Sequence, residues 1–186
     1  MTNSHVKKRQ DNPQSNLDYK IMSFFFAIRD KFKDPMRKVK KINIKEGNFV
    51  LDYGCGPGSF TISAAKKVGA SGKVFAVDIH PLAIKKVQKK ALKKGLKNIE
   101  TILTNCKTEL KNNSIDIIIC FDTFHCLKDQ ESILGEFFRI LKPASLLFID
   151  DHHMQENEII SRITEQSIFR FVEKIEDIYV FSKEII

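Results

Sequence analysis

Residues 50–59 read Val-Leu-Asp-Tyr-Gly-Cys-Gly-Pro-Gly-Ser, and they join two stretches of different pattern. The apolar run 48–51 is typical of a buried strand, and residues 60–67 have the pattern of a helix. Gly54 and Gly56 have no Cβ atom, so the chain can turn sharply and a ligand can lie against the backbone. The free N–H groups at the start of the helix face the same space. The segment therefore predicts a ligand site formed by a strand, a glycine turn and a helix N-terminus.

The spacing of the glycines narrows the class of ligand. Dinucleotide-binding turns use G-x-G-x-x-G to hold a pyrophosphate, whereas this chain has G-x-G-x-G with Asp52 two residues ahead. A carboxylate at Asp52 would repel a pyrophosphate and would pair with an ammonium group. A turn with no ligand needs one glycine rather than three in register behind an acid, so a purely structural role is disfavoured.

Residues 51–58 resemble the first motif of the class I S-adenosylmethionine-dependent methyltransferases, in the small-molecule branch that includes the ubiquinone, menaquinone and sterol methyltransferases. The resemblance extends from about Lys40 to the C-terminus. It implies an α/β fold with a doubly wound, mostly parallel Rossmann-like sheet and a C-terminal antiparallel hairpin. It also implies S-adenosylmethionine as the cofactor.

The rest of the pattern agrees with such a sheet. It predicts strands at 73–78, 98–103, 114–122 and 146–150, a turn at 142–145, and a closing hairpin of strands at 168–172 and 178–181. It predicts helices at 17–32, 36–41, 81–95, 129–141 and 156–166. Together with the resemblance, this pattern implies a disordered tail (1–16), N-terminal helices that act as a lid in the resembling family (17–41) and a methyltransferase domain (42–186). A packing helix or an interfacial helix are the alternatives to a lid for residues 17–32, where Phe and Lys alternate.

Composition sets the broad class of protein. The chain has 186 residues, of which 42% are hydrophobic, and a formal net charge of +8, as in a one-domain globular protein with a basic surface. Its four cysteines form no C-x-x-C pair, which disfavours structural zinc and disulfides and favours a reducing cytoplasm. The start of the chain is polar and basic, so it does not read as a signal peptide. No apolar run reaches the ~18 residues that a membrane span requires.

A second acid lies where a ribose ligand is expected. Asp78 ends the predicted second strand, 20 positions after Gly58, close to the spacing of ~20 for a carboxylate that binds ribose hydroxyls. Asn105 stands where the resembling family usually has an acid for adenine, and its amide oxygen can still accept a hydrogen bond. The residues assigned to the cofactor are Asp52, Gly54, Cys55, Gly56, Gly58, Asp78, Ile79, Asn105, Cys106 and Phe121.

Histidines follow the predicted strands at the same edge of the sheet. Four of the five histidines, His80, His125, His152 and His153, come just after strands, and ligands of parallel α/β sheets bind at the carboxyl ends. If the fourth and fifth strands are neighbours, as the resemblance implies, a group of acids and histidines would cluster near the acceptor: Asp122, His125, Asp150, Asp151, His152 and His153. From this group we assign His125, Asp122 and His152 to the acceptor side, as general base or supporting groups. Polar loop residues that bond to backbone are the alternative. A metal at this edge is disfavoured because adjacent histidines point to opposite sides of an extended chain, and no metal ligand is assigned.

The predicted function is methyl transfer from S-adenosylmethionine to a small molecule in the cytoplasm. The basic charge keeps an RNA acceptor as an alternative, although base-amino methyltransferases usually carry Pro-Pro-aromatic where this chain has Phe-Asp-Thr-Phe at 121–124. A non-catalytic S-adenosylmethionine-binding accessory protein is a second alternative. A nucleotide-dependent oxidoreductase is disfavoured by the glycine spacing. The identity of the acceptor and the oligomeric state are not predicted.

Overall fold

The computed structural model describes residues 12–184 and contains one seven-stranded sheet in the order β3-β2-β1-β4-β5-β7-β6. The strands are β1 (Phe49–Tyr53), β2 (Lys73–Asp78), β3 (Ile99–Leu103), β4 (Ile115–Phe121), β5 (Leu141–Asp150), β6 (Phe169–Ile175) and β7 (Ile178–Lys183). The helices are α1 (Asn16–Phe32), α2 (Pro35–Lys41), α3 (Ser59–Val68), α4 (Pro81–Lys93), α5 (Gln130–Ile140) and α6 (Glu156–Thr164). Strands β1–β5 are parallel, and β7 pairs antiparallel with both β5 and β6. The predicted fold class is confirmed.

The predicted tail falls largely outside the described residues. Residues 1–11 are not described, and residues 12–15 are irregular. Ser15 then caps α1, because its side chain accepts a hydrogen bond from the Asp18 N–H. The helix therefore begins at Asn16, which is the last residue of the stretch predicted to be disordered.

The order of the strands sets the position of the site. β1 lies between β2 and β4, so the winding of the sheet reverses there and leaves a crevice at the carboxyl ends. β5 pairs with β4 on its other side, with Phe121 opposite Asp150. The residues that follow these two strands therefore emerge side by side.

Two apolar layers cover the sheet. On one face, Leu51 and Ile118 pack with α5 and α6. On the other face, Val50 and Ile119 pack with α2 and α3. Neighbouring residues of a strand point to opposite faces, and β4 is apolar on both because it is covered on both.

The predicted turn at 142–145 is wrong in one respect, because the structure includes these residues in β5. Leu141 already pairs with Ile115, and the register then shifts so that Leu146 pairs with Ile117. The extra residues form a bulge. Ala144 has φ 58° within it, a left-handed conformation that glycine adopts more easily. β5 therefore begins at Leu141, before the bulge, because Leu141 already pairs with Ile115.

We expect two glycine substitutions to change stability in opposite directions. Gly135 is exposed inside α5 and has open space around its missing Cβ, so Gly135→Ala should raise the free energy of unfolding by about 0.5–1 kcal/mol. A Cβ on Gly72 would lie 2.5 Å from the Asn48 carbonyl oxygen, so Gly72→Ala should lower it by about 1–3 kcal/mol. Urea denaturation measures both, and equal effects of the two variants would contradict the packing described here.

Candidate active site

A cavity of about 1430 Å³ opens at the carboxyl ends of β1, β2, β4 and β5, with α1 along one wall. Its volume exceeds the ~300–1,000 Å³ of most single-ligand pockets, so it has room for two small molecules side by side. Ten of the thirteen predicted site residues line it: Gly54, Cys55, Gly56, Asp78, Ile79, Asn105, Phe121, Asp122, His125 and His152. Asp52, Gly58 and Cys106 do not.

The three glycines of the turn have different neighbours, although all three have positive φ. A Cβ on Gly54 would lie 2.3 Å from the Thr123 side chain, and one on Gly58 would lie 2.8 Å from a Val87 methyl group. The nearest atom to a Cβ on Gly56 belongs to the Phe26 ring, at 3.8 Å. Gly54 and Gly58 thus allow close packing of the turn, and Gly56 presents open backbone to the cavity.

Asp78 joins the turn to the start of α4. Its Oδ2 accepts the Gly56 N–H at 2.8 Å and its Oδ1 accepts the His80 N–H at 2.8 Å. Burial raises the pKa of the Asp78 carboxyl, and these N–H groups oppose the rise. A carboxylate can accept about four hydrogen bonds, so each oxygen keeps capacity for a ligand hydroxyl.

Asp52 lies behind the turn rather than in the cavity. It is buried, and its Oδ2 accepts a hydrogen bond from the Thr61 hydroxyl of α3. Burial raises the pKa of the Asp52 carboxyl to about 7. Its side chain therefore anchors α3 to β1, and its assignment to the cofactor stays a prediction.

The segment after β3 forms another part of the wall. The main-chain carbonyl oxygen of Asn105 accepts a hydrogen bond from the Tyr53 hydroxyl at 2.8 Å. This bond fixes Asn105 beside the end of β1. The next residue, Cys106, donates its N–H to the Thr104 hydroxyl at 3.3 Å and packs against the apolar layer that contains Leu51. The contacts of Cys106 explain why Asn105 faces the cavity and Cys106 does not.

A buried carboxylate orients His125. The Asp151 side chain is fully buried and lies 2.8 Å from Nδ1 of His125, and it also accepts the backbone N–H groups of His125 and His153. With a carboxylate as the partner, Nδ1 acts as the donor, and in the neutral form of the ring Nε2 then has the lone pair. His125 lines the cavity and its side chain is 26% exposed. The arrangement is that of a histidine held ready to accept a proton.

Asp122 connects this edge of the sheet to α1. Its Oδ1 lies 2.6 Å from His152 Nδ1, and its Oδ2 lies 3.4 Å from the Arg29 guanidinium. Asp122 has φ 50°, an uncommon conformation for a residue with a side chain. The chain thus turns sharply at the end of β4, and this turn brings the carboxylate between α1 and the segment after β5.

Helix α1 is held across the cavity by contacts with α3 and α4. The Tyr19 ring stacks on His80 with centroids 4.3 Å apart. Ser23 accepts a hydrogen bond from Lys86, and Asp30 accepts one from the Ser59 hydroxyl. These contacts bring the inner side of α1 over the glycine turn.

At the far end of the cavity, α2 is joined to the sheet. Lys38 forms an ion pair with Asp150 and lies 4.9 Å from the centroid of the Phe121 ring. Burial lowers the pKa of the Lys38 ammonium, which Asp177 partly offsets. Lys38 therefore fastens α2 to the ends of β4 and β5.

Two residues of the site, Arg29 and Lys38, were not assigned from the sequence. Asp151, which follows Asp150 at the end of a predicted strand, was expected in the group near the acceptor, and it lies beside His125. Arg29 and Lys38 lie on helices whose neighbours cannot be read from local pattern. Both reach the site only because α1 and α2 pack over the ends of the strands.

The histidine rings contact one another, with centroids of His125 and His153 4.3 Å apart and those of His152 and His153 4.0 Å apart. Across residues 12–184, no three His, Cys, Asp or Glu side chains are grouped as ligands of a metal ion.

In the same part of the chain, no helix combines the length and the apolarity needed to cross a bilayer.

Known proteins resemble this chain. A family model described as a methyltransferase domain matches residues 44–177. The demethylmenaquinone methyltransferase of Lactobacillus johnsonii is 32% identical over 125 residues, which are 65% of this chain and 50% of that protein. The aklanonic acid methyltransferase of Streptomyces sp. is 33% identical over 146 residues, which are 76% and 64% of the two proteins.

Solved structures share the fold over almost the whole chain. A SAM dependent methyltransferase from Aquifex aeolicus is 28% identical, covers 92% of this chain and 97% of its own, and has a TM-score of 0.77. The chain spans about half the length of the curated relatives it matches first, with 54%, 50%, 55% and 54% of each covered.

The buried Asp52 predicts a particular pH dependence of stability. Because its folded pKa is raised, the folded state holds this proton more tightly, and the stabilisation is full below about pH 4 and lost as pH rises through about 7. We expect Asp52→Asn to remove up to about 4 kcal/mol of this variation. Urea denaturation between pH 4 and 8 measures it, with Asp116→Asn, at the opposite end of the sheet, as control. Parallel curves for the wild type and Asp52→Asn would contradict the effect of burial.

Proposed function

The chain belongs to the methyltransferase-domain family, and on that basis we propose that it transfers a methyl group from S-adenosylmethionine to a small molecule whose acceptor atom loses a proton. The observation that carries the proposal is that Asp78 and the pair of His125 and Asp151 share one cavity. The first is suited to bind a sugar, and the second is suited to take a proton.

The residues around the glycine turn fit the cofactor. S-adenosylmethionine, when bound, supplies a methyl group already activated by a positively charged sulfur. Gly56 offers backbone without a side chain, and Asp78 keeps capacity to accept two ribose hydroxyls. Ile79 and Asn105 also line the cavity and would hold the adenine. Asp52 lies behind the turn and, because burial raises its pKa to about 7, it would contribute negative charge there only when deprotonated.

The acceptor side contains the group that removes a proton. Asp151 fixes the Nδ1–H of His125, which leaves Nε2 free to accept a proton from an acceptor that approaches through the cavity. Asp151 also stabilises the positive charge that the ring then gains. The acceptor class is therefore an acidic carbon, a phenol or another hydroxyl, rather than a sulfide, which needs no base.

Closure by α1 favours a small acceptor over a polymer. The contacts of Tyr19, Ser23 and Asp30 hold the helix over the cavity, and Arg29 reaches Asp122 beside the histidines. In this proposal residues 17–41 act as the lid and residues 42–186 as the catalytic domain, and closure excludes water from the transferred methyl group. All four cysteines lie in the described part of the chain and none of them is in a disulfide, which supports the predicted cytoplasmic location.

Cofactor binding tests the first half of the proposal. We expect titration calorimetry to detect binding of S-adenosylhomocysteine and not of NAD. Asp78→Asn should weaken that binding by about 10-fold or more, because a charged hydrogen-bond partner of the ribose is lost. Asp116→Asn is the matched control, because Asp116 lies at the amino end of β4, away from the cavity. This variant should leave the affinity for S-adenosylhomocysteine unchanged.

Two results would count against this part of the proposal: no binding of S-adenosylhomocysteine, or equal affinities of the wild type and Asp78→Asn. An Asp52→Asn variant measured in parallel separates the roles of the two acids. A loss of affinity there supports the cofactor assignment of Asp52, and an unchanged affinity limits Asp52 to holding α3.

Methyl transfer tests the second half. With methyl-labelled S-adenosylmethionine and a panel of 1,3-dicarbonyl, phenol and sulfide acceptors, we expect transfer to the first two classes and not to the sulfide. His125→Gln should lower kcat by about 10²–10⁴-fold while the affinity for S-adenosylhomocysteine stays within about twofold of wild type. Asp151→Asn should also lower kcat and should move the pH profile, because the amide no longer stabilises a charged ring. An unchanged kcat for His125→Gln would exclude it as the base.

A further inference from the structure

The outer side of α1 is apolar although it faces away from the protein. Six side chains of this helix are exposed, and we call them the outer stripe: Leu17, Ile21, Phe24, Phe25, Ile28 and Phe32. Phe32 is 83% exposed and Leu17 is 67% exposed. At 3.6 residues per turn the six positions fall within an arc of about 100°. Contiguous exposed apolar surface of this kind marks an interaction site rather than an ordinary surface.

The inner side of the same helix already has its partners. Tyr19 and Ser23 are buried against α4, and Asp30 bonds to the first residue of α3. Rotation of α1 to bury the outer stripe would break all of these contacts. The outer stripe is therefore a separate surface of α1, which the packing of this helix on the protein leaves exposed.

Positive charge accompanies the outer stripe. Residues 17–41 contain eight Lys and Arg residues against three Asp residues, and three of the eight cations, Arg29, Lys38 and Lys41, are already paired with acids. Each of the acids is engaged locally: Asp18 with Ser15, Asp30 with Arg29 and Ser59, and Asp34 with the N–H of Met36. The exposed lysines Lys20 and Lys31 follow one flank of the stripe at helical spacing. An apolar stripe with a basic flank suits the headgroup region of an anionic bilayer.

The outer stripe is also continuous with the mouth of the cavity. Phe25 and Phe32 belong to the stripe and line the cavity as well, and Lys33 and Arg37 lie beside them in its lining. A molecule with an apolar chain could pass from a bilayer along these rings without crossing water. A polar protein partner would gain nothing from this continuity.

We propose that the outer stripe of α1 docks the protein on the surface of an anionic lipid bilayer, with the mouth of the cavity turned towards the lipid. The docking goes beyond the proposed methyl transfer and does not need it. A lipophilic acceptor drawn from the bilayer would follow only if the methyl transfer proposed above is also correct.

Vesicle co-sedimentation of the full chain tests the docking. We expect binding to vesicles that contain phosphatidylglycerol, weaker binding to phosphatidylcholine alone, and a loss of binding as salt screens the charges. The triple variant Leu17→Gln, Ile21→Gln and Phe24→Gln changes only stripe residues outside the cavity lining, and it should lower the partition coefficient by about 10-fold or more. Leu92→Gln with Val172→Gln, two exposed apolar residues elsewhere, should lower it by less than about twofold.

Charge variants complete the test. Lys20→Glu with Lys31→Glu should weaken binding and flatten its salt dependence, whereas Lys85→Glu with Lys89→Glu on the exposed side of α4 should have little effect. Equal losses of vesicle binding for the two pairs would mean that the protein binds anionic lipid through its overall charge rather than through the outer stripe. That result would overturn the proposal.

Other occupants of the stripe would also be recognised. Failure of the wild type to bind phosphatidylglycerol vesicles overturns the docking, as does a wild-type dimer in sedimentation velocity that the triple variant dissociates, because a second copy would then cover the stripe. Affinity for S-adenosylhomocysteine, measured on the same samples, is independent of vesicle binding. A failure of docking is thus distinguishable from a failure of the proposed function.

Discussion

The carboxylate of Asp78 holds two backbone N–H groups from separate segments, and the geometry of the site depends on it. One group belongs to the turn after β1 and the other to the start of α4. His80, positioned in this way, caps α4 through Nδ1 and stacks on Tyr19 of α1. One half-buried acid therefore connects the glycine turn, helix α4 and helix α1. In the proposed function the same acid also binds the ribose, so structural and ligand-binding demands would fall on one side chain.

The acceptor side depends on strand register in the same way. Phe121 and Asp150 are paired across β4 and β5, so Asp122 and Asp151 leave the sheet at the same level. Each then meets a histidine, His152 in one case and His125 in the other. A slip of one residue between β4 and β5 would exchange the faces of these side chains and separate both pairs. The bulge around Ala144 absorbs the extra residues of β5 before the strand reaches this level.

Local pattern predicts the strands, most of the helices and Asp78, because strand ends and glycine turns are properties of adjacent residues. It does not predict which way a side chain points from the turn. Asp52 and Gly58 lie in the same motif as Gly56, yet Asp52 bonds to Thr61 and Gly58 leaves room for Val87. Arg29 likewise reaches Asp122 only through the packing of α1. Such placements depend on contacts between residues distant in sequence, which one chain without an alignment does not reveal.

The outermost strand β6 has consequences for how the protein behaves at high concentration. An edge strand exposes backbone groups that can recruit a strand of another molecule. In β6 the register shifts between Phe171 and Glu173, and the exposed side chains there include Arg170, Glu173 and Lys174. A bulge and alternating charges disfavour such recruitment. The β6 edge is therefore a poor template for strand addition, which leaves β3, at the other edge of the sheet, as the edge strand without these two features.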